Sequence, residues 1–145
     1  KTYLGEKPVF FSHIEYDKPQ LVFEHETQQL AYKGDVVLLT GIADNTVFKS
    51  QMASKYNVQK EFIFEDHHNF TSKDMDGIEE YLTKQPIDLP IVTTEKDMVR
   101  LLTLAEHSLF KKAAVFYIPI RFALEEEEKF TSRLFKVLEQ KKNLN

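Results

Sequence analysis

No cysteine and no tryptophan occur among these 145 residues. The missing cysteines remove three kinds of chemistry at once: a disulfide framework, a thiolate zinc site and a cysteine nucleophile. Glycine is nearly as scarce, confined to Gly5, Gly34, Gly41 and Gly77. A phosphate-binding loop of the Walker type needs two glycines five positions apart, followed by Lys and then Ser or Thr. No pair of glycines here has that spacing, and there is no Gly-x-Ser-x-Gly elbow to present a serine nucleophile. The apolar runs, such as Val36 to Leu39 and Ala113 to Ile118, fall far short of the ~20 residues that a membrane-crossing helix needs. Basic charge is not concentrated either: 19 Lys and Arg are dispersed against 23 Asp and Glu, for a formal net charge of -4. That distribution leaves no electrostatic footprint for nucleic acid.

What is present fits one globular domain, because a chain of this length with 42% hydrophobic residues can bury roughly 70% of its unfolded surface in a single core. Residues 1–34 are expected to form a β-hairpin linker. Val9 to Tyr16 is rich in aromatic and β-branched residues, Asp17-Lys18-Pro19 reads as a turn, and Leu21-Val22-Phe23 as the returning strand. From residue 35 to 145 the chain alternates between apolar strand runs and helical periodicities, which predicts an α/β domain with a mostly parallel central sheet and helices on both faces. The expected strands are Val36 to Leu39, Phe62 to Phe64, Pro90 to Thr93 and Val115 to Ile120. Between them, Phe48, Met52 and Tyr56 recur every four residues behind a cap at Asp44 or Asn45. Thr71 with Asp74, and Thr94 with Asp97, each make a capping-box-like helix start. A last helix is expected from the glutamates at 125–128 to Lys141-Lys142, with charges that match the helix dipole at both ends.

In open α/β sheets, ligands bind beyond the carboxyl ends of the strands. Three polar segments fall there: Thr40-Gly41-Ile42-Ala43, Asp66-His67-His68-Asn69 and Thr93-Thr94-Glu95-Lys96-Asp97. They would lie side by side if their strands are parallel neighbours. Asp66-His67-His68 is the densest titratable cluster, and an aspartate beside a histidine can set its tautomer for proton transfer. A capped turn with solvated histidines accounts for the same residues. Metal binding is disfavoured, because three adjacent side chains rarely converge on one ion without distant ligands. Lys96 at a helix entry could favour an anion, while a capped helix explains Thr94 to Asp97 equally well.

Taken in order, Leu39 to Ala43 followed by Phe48, then Phe64 to Phe70, then Thr94 to Asp97, resemble the carboxyl-terminal half of the tetraacyldisaccharide 4′-kinase family, over roughly Val9 to Leu124. The resemblance implies an ATP-dependent kinase of lipid A synthesis that phosphorylates the 4′-hydroxyl of a tetraacyldisaccharide 1-phosphate. Its phosphate-binding loop and main catalytic aspartates would lie in an amino-terminal domain outside this chain. On this view Lys1, standing where a native start would read Met, marks the edge of an excised domain. ATP and magnesium belong to the full-length enzyme, with no cofactor-binding or metal-binding residue expected in this chain. Its partners would be its own P-loop domain and the lipid A disaccharide precursor at the membrane surface. The full-length enzyme is expected at the cytoplasmic face of the bacterial inner membrane, and the chain alone to be soluble and inactive.

The resemblance assigns His67 and Asp66 to catalysis, with His67 supporting an aspartate base from the other domain. It assigns His68, Asn69, Thr94, Glu95, Lys96 and Asp97 to a substrate or domain interface. The family pattern is not kept everywhere. Glu65 and Asn45 stand where proline is usual, and Met98 and Arg100 where Ala and Lys are usual. Two other readings stay open: a metal-dependent phosphoesterase of the Asp-His-His type, whose further motifs are not found, and a non-catalytic α/β binding module.

Overall fold

A computed structural model describes residues 8–26 and 29–142, so the reading of Lys1 lies outside the described residues. The chain divides into two compact units: residues 17–119, and the segments up to Tyr16 and from Ile120.

Residues 17–119 form an α/β layer structure around a five-stranded sheet. Its strands are β2 (Gln20–Leu21), β3 (Asp35–Thr40), β4 (Asn57–Ile63), β5 (Ile91–Thr94) and β6 (Val115–Ile118), in the spatial order β2-β6-β5-β3-β4. β4, β3, β5 and β6 are parallel, and β2 joins the edge antiparallel to β6. The mostly parallel α/β class expected from the sequence is therefore found, with one antiparallel edge. Val36 to Thr40 of β3 are all buried, as they must be in a strand with a neighbour on each side and helices on both faces.

β1 (Ser12–Tyr16) belongs to the other unit, where it pairs antiparallel with β7 (Ile120–Leu124) from Ser12 opposite Leu124 to Tyr16 opposite Ile120. This corrects the expected β-hairpin. The turn at Asp17-Lys18-Pro19 does not fold β2 back on β1, because the Asp17 amide donates to Pro119 O (2.9 Å) and β2 continues along β6. The partner of β1 comes from the far end of the sequence, where no local pattern could announce it. The fourth expected strand is likewise shorter: Pro119 has no N–H to offer a ladder, so β6 ends at Ile118 and the chain resumes as β7.

Five α-helices complete the described residues: α1 (Thr46–Lys55), α2 (Ser72–Thr83), α3 (Glu95–Leu101), α4 (Leu109–Lys112) and α5 (Glu127–Lys142). α3 runs on into a single 3₁₀ turn, Leu102–Leu104. α1 crosses from β3 to β4, and α2 crosses back past β3 to β5. Because such crossovers are right-handed, the reversal puts α1 on one face of the sheet and α2 on the other. The second face holds the main core, where Met75 and Ile78 of α2, Leu101, Leu109 and Phe110 pack on Leu39, Ile91 and Val115. Phe23 stacks on Phe110 at its margin, with ring centroids 4.4 Å apart. At the start of α2, Thr71 Oγ1 accepts from the Asp74 amide while Asp74 accepts from the Thr71 amide, the capping box read from the sequence.

Candidate functional site

The winding reverses between β3 and β5, and the crevice beyond their carboxyl ends is where open α/β sheets place ligands. All three candidate segments meet at this edge. The segment after β3 supplies Gly41, the turn after β4 supplies Asp66 and His67, and α3 follows β5 without an intervening loop. The sequence could place these segments at strand ends but could not give the strand order that makes β4, β3 and β5 neighbours.

Asp97 is the knot of the arrangement and is wholly buried, 0% exposed. Its Oδ2 accepts from the Gly41 amide at 2.9 Å and from the Thr94 hydroxyl at 2.8 Å, while its Oδ1 accepts from Arg100 at 3.0 Å. The Asp97 amide donates to Thr94 Oγ1 (3.1 Å), closing the helix cap. A Cβ added at Gly41 would lie 3.3 Å from Asp97 Oδ1, 3.4 Å from the Phe70 ring and 3.5 Å from Glu65 O. Glycine leaves room for this close approach, in which the start of α3 and the loop between β4 and α2 both close on its Cα. Thr93 on the same edge donates its hydroxyl to Leu39 O (2.7 Å), tying β5 to β3 through a side chain. Asp97 thus fills the crevice itself, and its part in the architecture is larger than a helix cap alone would suggest.

At the rim, the turn from Glu65 to His68 is closed by His68 N–H donating to Glu65 O (3.1 Å). His67 sits at its third position with φ 60°, a left-handed conformation that Gly or Asn fills most cheaply. Its ring is 74% exposed. Asp66 Oδ1 accepts from the His67 amide (3.0 Å) and from Lys96 Nζ (3.1 Å), and Asp66 Oδ2 lies 3.4 Å from His67 Nε2. The Lys96 hydrogen bond, aided by the charges of Lys96 and His67, holds the Asp66 carboxyl below its ordinary value. On the other side of the His67 ring, Arg100 donates to Nδ1 at 3.3 Å.

His68 turns inward, away from this rim. It stacks on Phe64 with centroids 4.6 Å apart, and its Nε2 lies 3.0 Å from Asp74 Oδ2 in the α2 capping box. Burial works to raise the Asp74 carboxyl, but hydrogen bonds from His68 and Thr71 outweigh it and the group lies below its ordinary value. Of the expected interface residues, Asn69 and Glu95 are exposed, Lys96 is engaged with Asp66, and Thr94 and Asp97 are buried. Arg100 was legible only as a departure from a family pattern. Its position three residues after Asp97, one helical turn on, was the signal that it would reach that carboxylate.

The crevice is occupied by Asp97, both neighbouring cations are paired with carboxylates, and among the described residues no three His, Asp or Glu side chains are grouped to hold a metal ion. A cleft of about 200 Å³ lies at the opposite edge, where Leu89, Pro90, Ala113 and Ala114 precede β5 and β6. It is mostly apolar and carries none of the motif residues. No helix among the described residues is long and apolar enough to cross a membrane.

The model of the family described as LpxK, tetraacyldisaccharide-1-P 4′-kinase, matches residues 2–139. The chain is 31% identical over 137 residues to the tetraacyldisaccharide 4′-kinase of Phocaeicola vulgatus, covering 87% of this chain and 36% of that protein. It is 34% identical over 96 residues to that of Bradyrhizobium sp., covering 66% of this chain and 26% of that protein. Among solved structures it resembles LpxK from Aquifex aeolicus, crystallised in complex with ATP, with a TM-score of 0.54 over 94% of this chain and 38% of that one. At 19% identity that likeness is one of fold. The chain spans about a third of the length of the curated relatives it matches.

Proposed function

Because the chain belongs to the tetraacyldisaccharide-1-P 4′-kinase family, we propose that it is the carboxyl-terminal part of an ATP-dependent kinase that phosphorylates the 4′-hydroxyl of tetraacyldisaccharide 1-phosphate in lipid A biosynthesis. The observation that carries the reading is the convergence of the three carboxyl-end segments on Gly41 and Asp97, with the Asp66-His67 turn at their rim. Such an edge offers an exposed imidazole beside a buried floor. It therefore suits a shared site, in which a second, amino-terminal domain supplies the phosphate-binding loop, ATP and magnesium.

Phosphoryl transfer depends on positioning and on managing charge rather than on covalent chemistry by the protein. In this reading His67 donates from Nε2 to orient an aspartate base contributed by the second domain, and that aspartate takes the proton that leaves the sugar hydroxyl. Asp66, kept ionised by Lys96, stabilises the imidazole from beside. His68 and Asn69 shape the turn, and Thr94 to Asp97 set the edge on which the other domain and the lipid acceptor meet. The lipid substrate places the full-length protein at the cytoplasmic face of the inner membrane.

The test is turnover of ATP, magnesium and the lipid acceptor by the longer polypeptide and by this chain alone. The longer protein should be active and residues 1–145 inactive. His67→Ala in the longer protein should lower kcat by roughly a hundredfold, with KM for ATP changed by less than about threefold. Turnover by the chain alone, or full activity of His67→Ala, would overturn the reading.

A further inference from the structure

We infer that Arg100 is a positioning residue for His67, fixing from the buried floor both the direction of its ring and the nitrogen that carries the proton. The inference rests on the proposed role of His67. Nothing in the resemblance singles out Arg100, which stands where the family pattern has lysine.

Three contacts define its geometry. One terminal nitrogen donates both to Asp97 Oδ1 (3.0 Å) and to Gly41 O (3.1 Å), and the other donates to His67 Nδ1 (3.3 Å). The guanidinium is planar and rigid, so once the first nitrogen is held by a carboxylate that is itself 0% exposed, the direction of the second is set. Arg100 is only 19% exposed along its side chain, whereas the His67 ring is 74% exposed. The anchor is therefore the arginine, and the ring is what it steadies.

The chemistry of the contact follows from the donor inventory. A guanidinium has five N–H donors and no acceptor, so an Nδ1 that faces it must present its lone pair. The proton of the neutral ring then sits on Nε2. That nitrogen, 3.4 Å from Asp66 Oδ2 in this chain, is left to donate toward a carboxylate base of a docked domain in the proposed enzyme. Asp97, through Gly41 and Thr94, ties this assignment to the ends of β3 and β5. The histidine's orientation is thereby set by the sheet rather than by its own exposed turn.

Arg100→Met in the longer kinase should lower kcat roughly tenfold, as expected when a catalytic group is displaced by a fraction of an ångström, with KM for ATP changed by less than about twofold. Arg100→Lys, which keeps a donor beside Asp97 and within reach of Nδ1, should recover part of the loss. On a His67→Ala background Arg100→Met should cost nothing further, because a residue that acts through another is non-additive with it. A folding defect would instead reduce turnover in both backgrounds. In the ring ¹⁵N spectrum of the chain, Arg100→Met should move the His67 Nδ1 resonance and leave those of His68 and His107 in place. An additive double variant, an unchanged His67 resonance, or full turnover of Arg100→Met beside an impaired His67→Ala would overturn the inference. Full turnover of His67→Ala would instead strike at the kinase role of His67, and the ring spectrum would still decide whether Arg100 positions it.

Discussion

Asp97 accepts from three donors that have no other partner as close, so its removal leaves the Gly41 amide and the Thr94 hydroxyl unsatisfied and the Arg100 charge unpaired. Asp97→Ala should cost about 3 kcal/mol of stability, measured as a lowered denaturant midpoint at unchanged slope. Asp97→Asn, which keeps the shape and one acceptor, should cost less. His67 makes the opposite case. A non-glycine residue at φ 60° carries strain, and an observed strain of this kind points to function. His67→Asn should raise stability by about 0.5–1 kcal/mol while turnover of the longer protein falls, a trade expected where a side chain is kept for chemistry. At this scale the sequence displayed the titratable cluster and the Thr-Glu-Lys-Asp motif. It did not display their division of labour. His68 faces inward to Phe64 and Asp74 while His67 faces out, because one residue with positive φ reverses the direction of the chain between them. No propensity marks such a histidine in advance.

Helices were the most readable elements, since their starts carry side-chain chemistry. The Thr71 and Thr94 caps are both formed, and each was visible as a threonine three residues before an aspartate. Thr71→Ala should cost about 1 kcal/mol and fray the first turn of α2, seen as faster amide exchange at Asp74 and Met75. The same cap gives the molecule an acid-sensitive joint. Asp74 is depressed in the folded chain by His68 and Thr71, so its contribution is fully present above the ordinary carboxylate value of about 4 and is lost as the pH falls through its lower folded value. Wild type should therefore lose more stability than Asp74→Asn when denaturant midpoints are followed from pH 6 to about pH 2. Strands were less readable. Those with two buried faces announced themselves as apolar runs, whereas β7, with Arg121 between Ile120 and Phe122, has the alternation of a half-exposed strand. The sequence merges its start with β6 because a single proline is all that divides them.

Across the whole molecule, protection is expected to be uneven. β3 is paired on both sides and buried along Val36 to Thr40, so its amides should be the slowest to exchange. Those of β1 and β7, a two-stranded ribbon with Ile14, Ile120 and Phe122 exposed, should exchange orders of magnitude faster. Equal protection in the two units would contradict this ranking. The class of the fold was legible because alternation of strands and helices is a global pattern. Strand order and the pairing of β1 were not, because both depend on contacts between residues far apart in the chain. That last pairing carries a kinetic consequence. Tyr16 lies opposite Ile120, so the ribbon is a hairpin whose loop is the entire body of about a hundred residues. Closing so long a loop from the unfolded state is slow. Once the body has folded, the Asp17 amide and the Pro119 carbonyl hold its two ends together, and the loop is effectively reduced to a tight turn. The ribbon should therefore form last in folding and open first in unfolding, because only a folded body brings together the two points from which β1 and β7 extend.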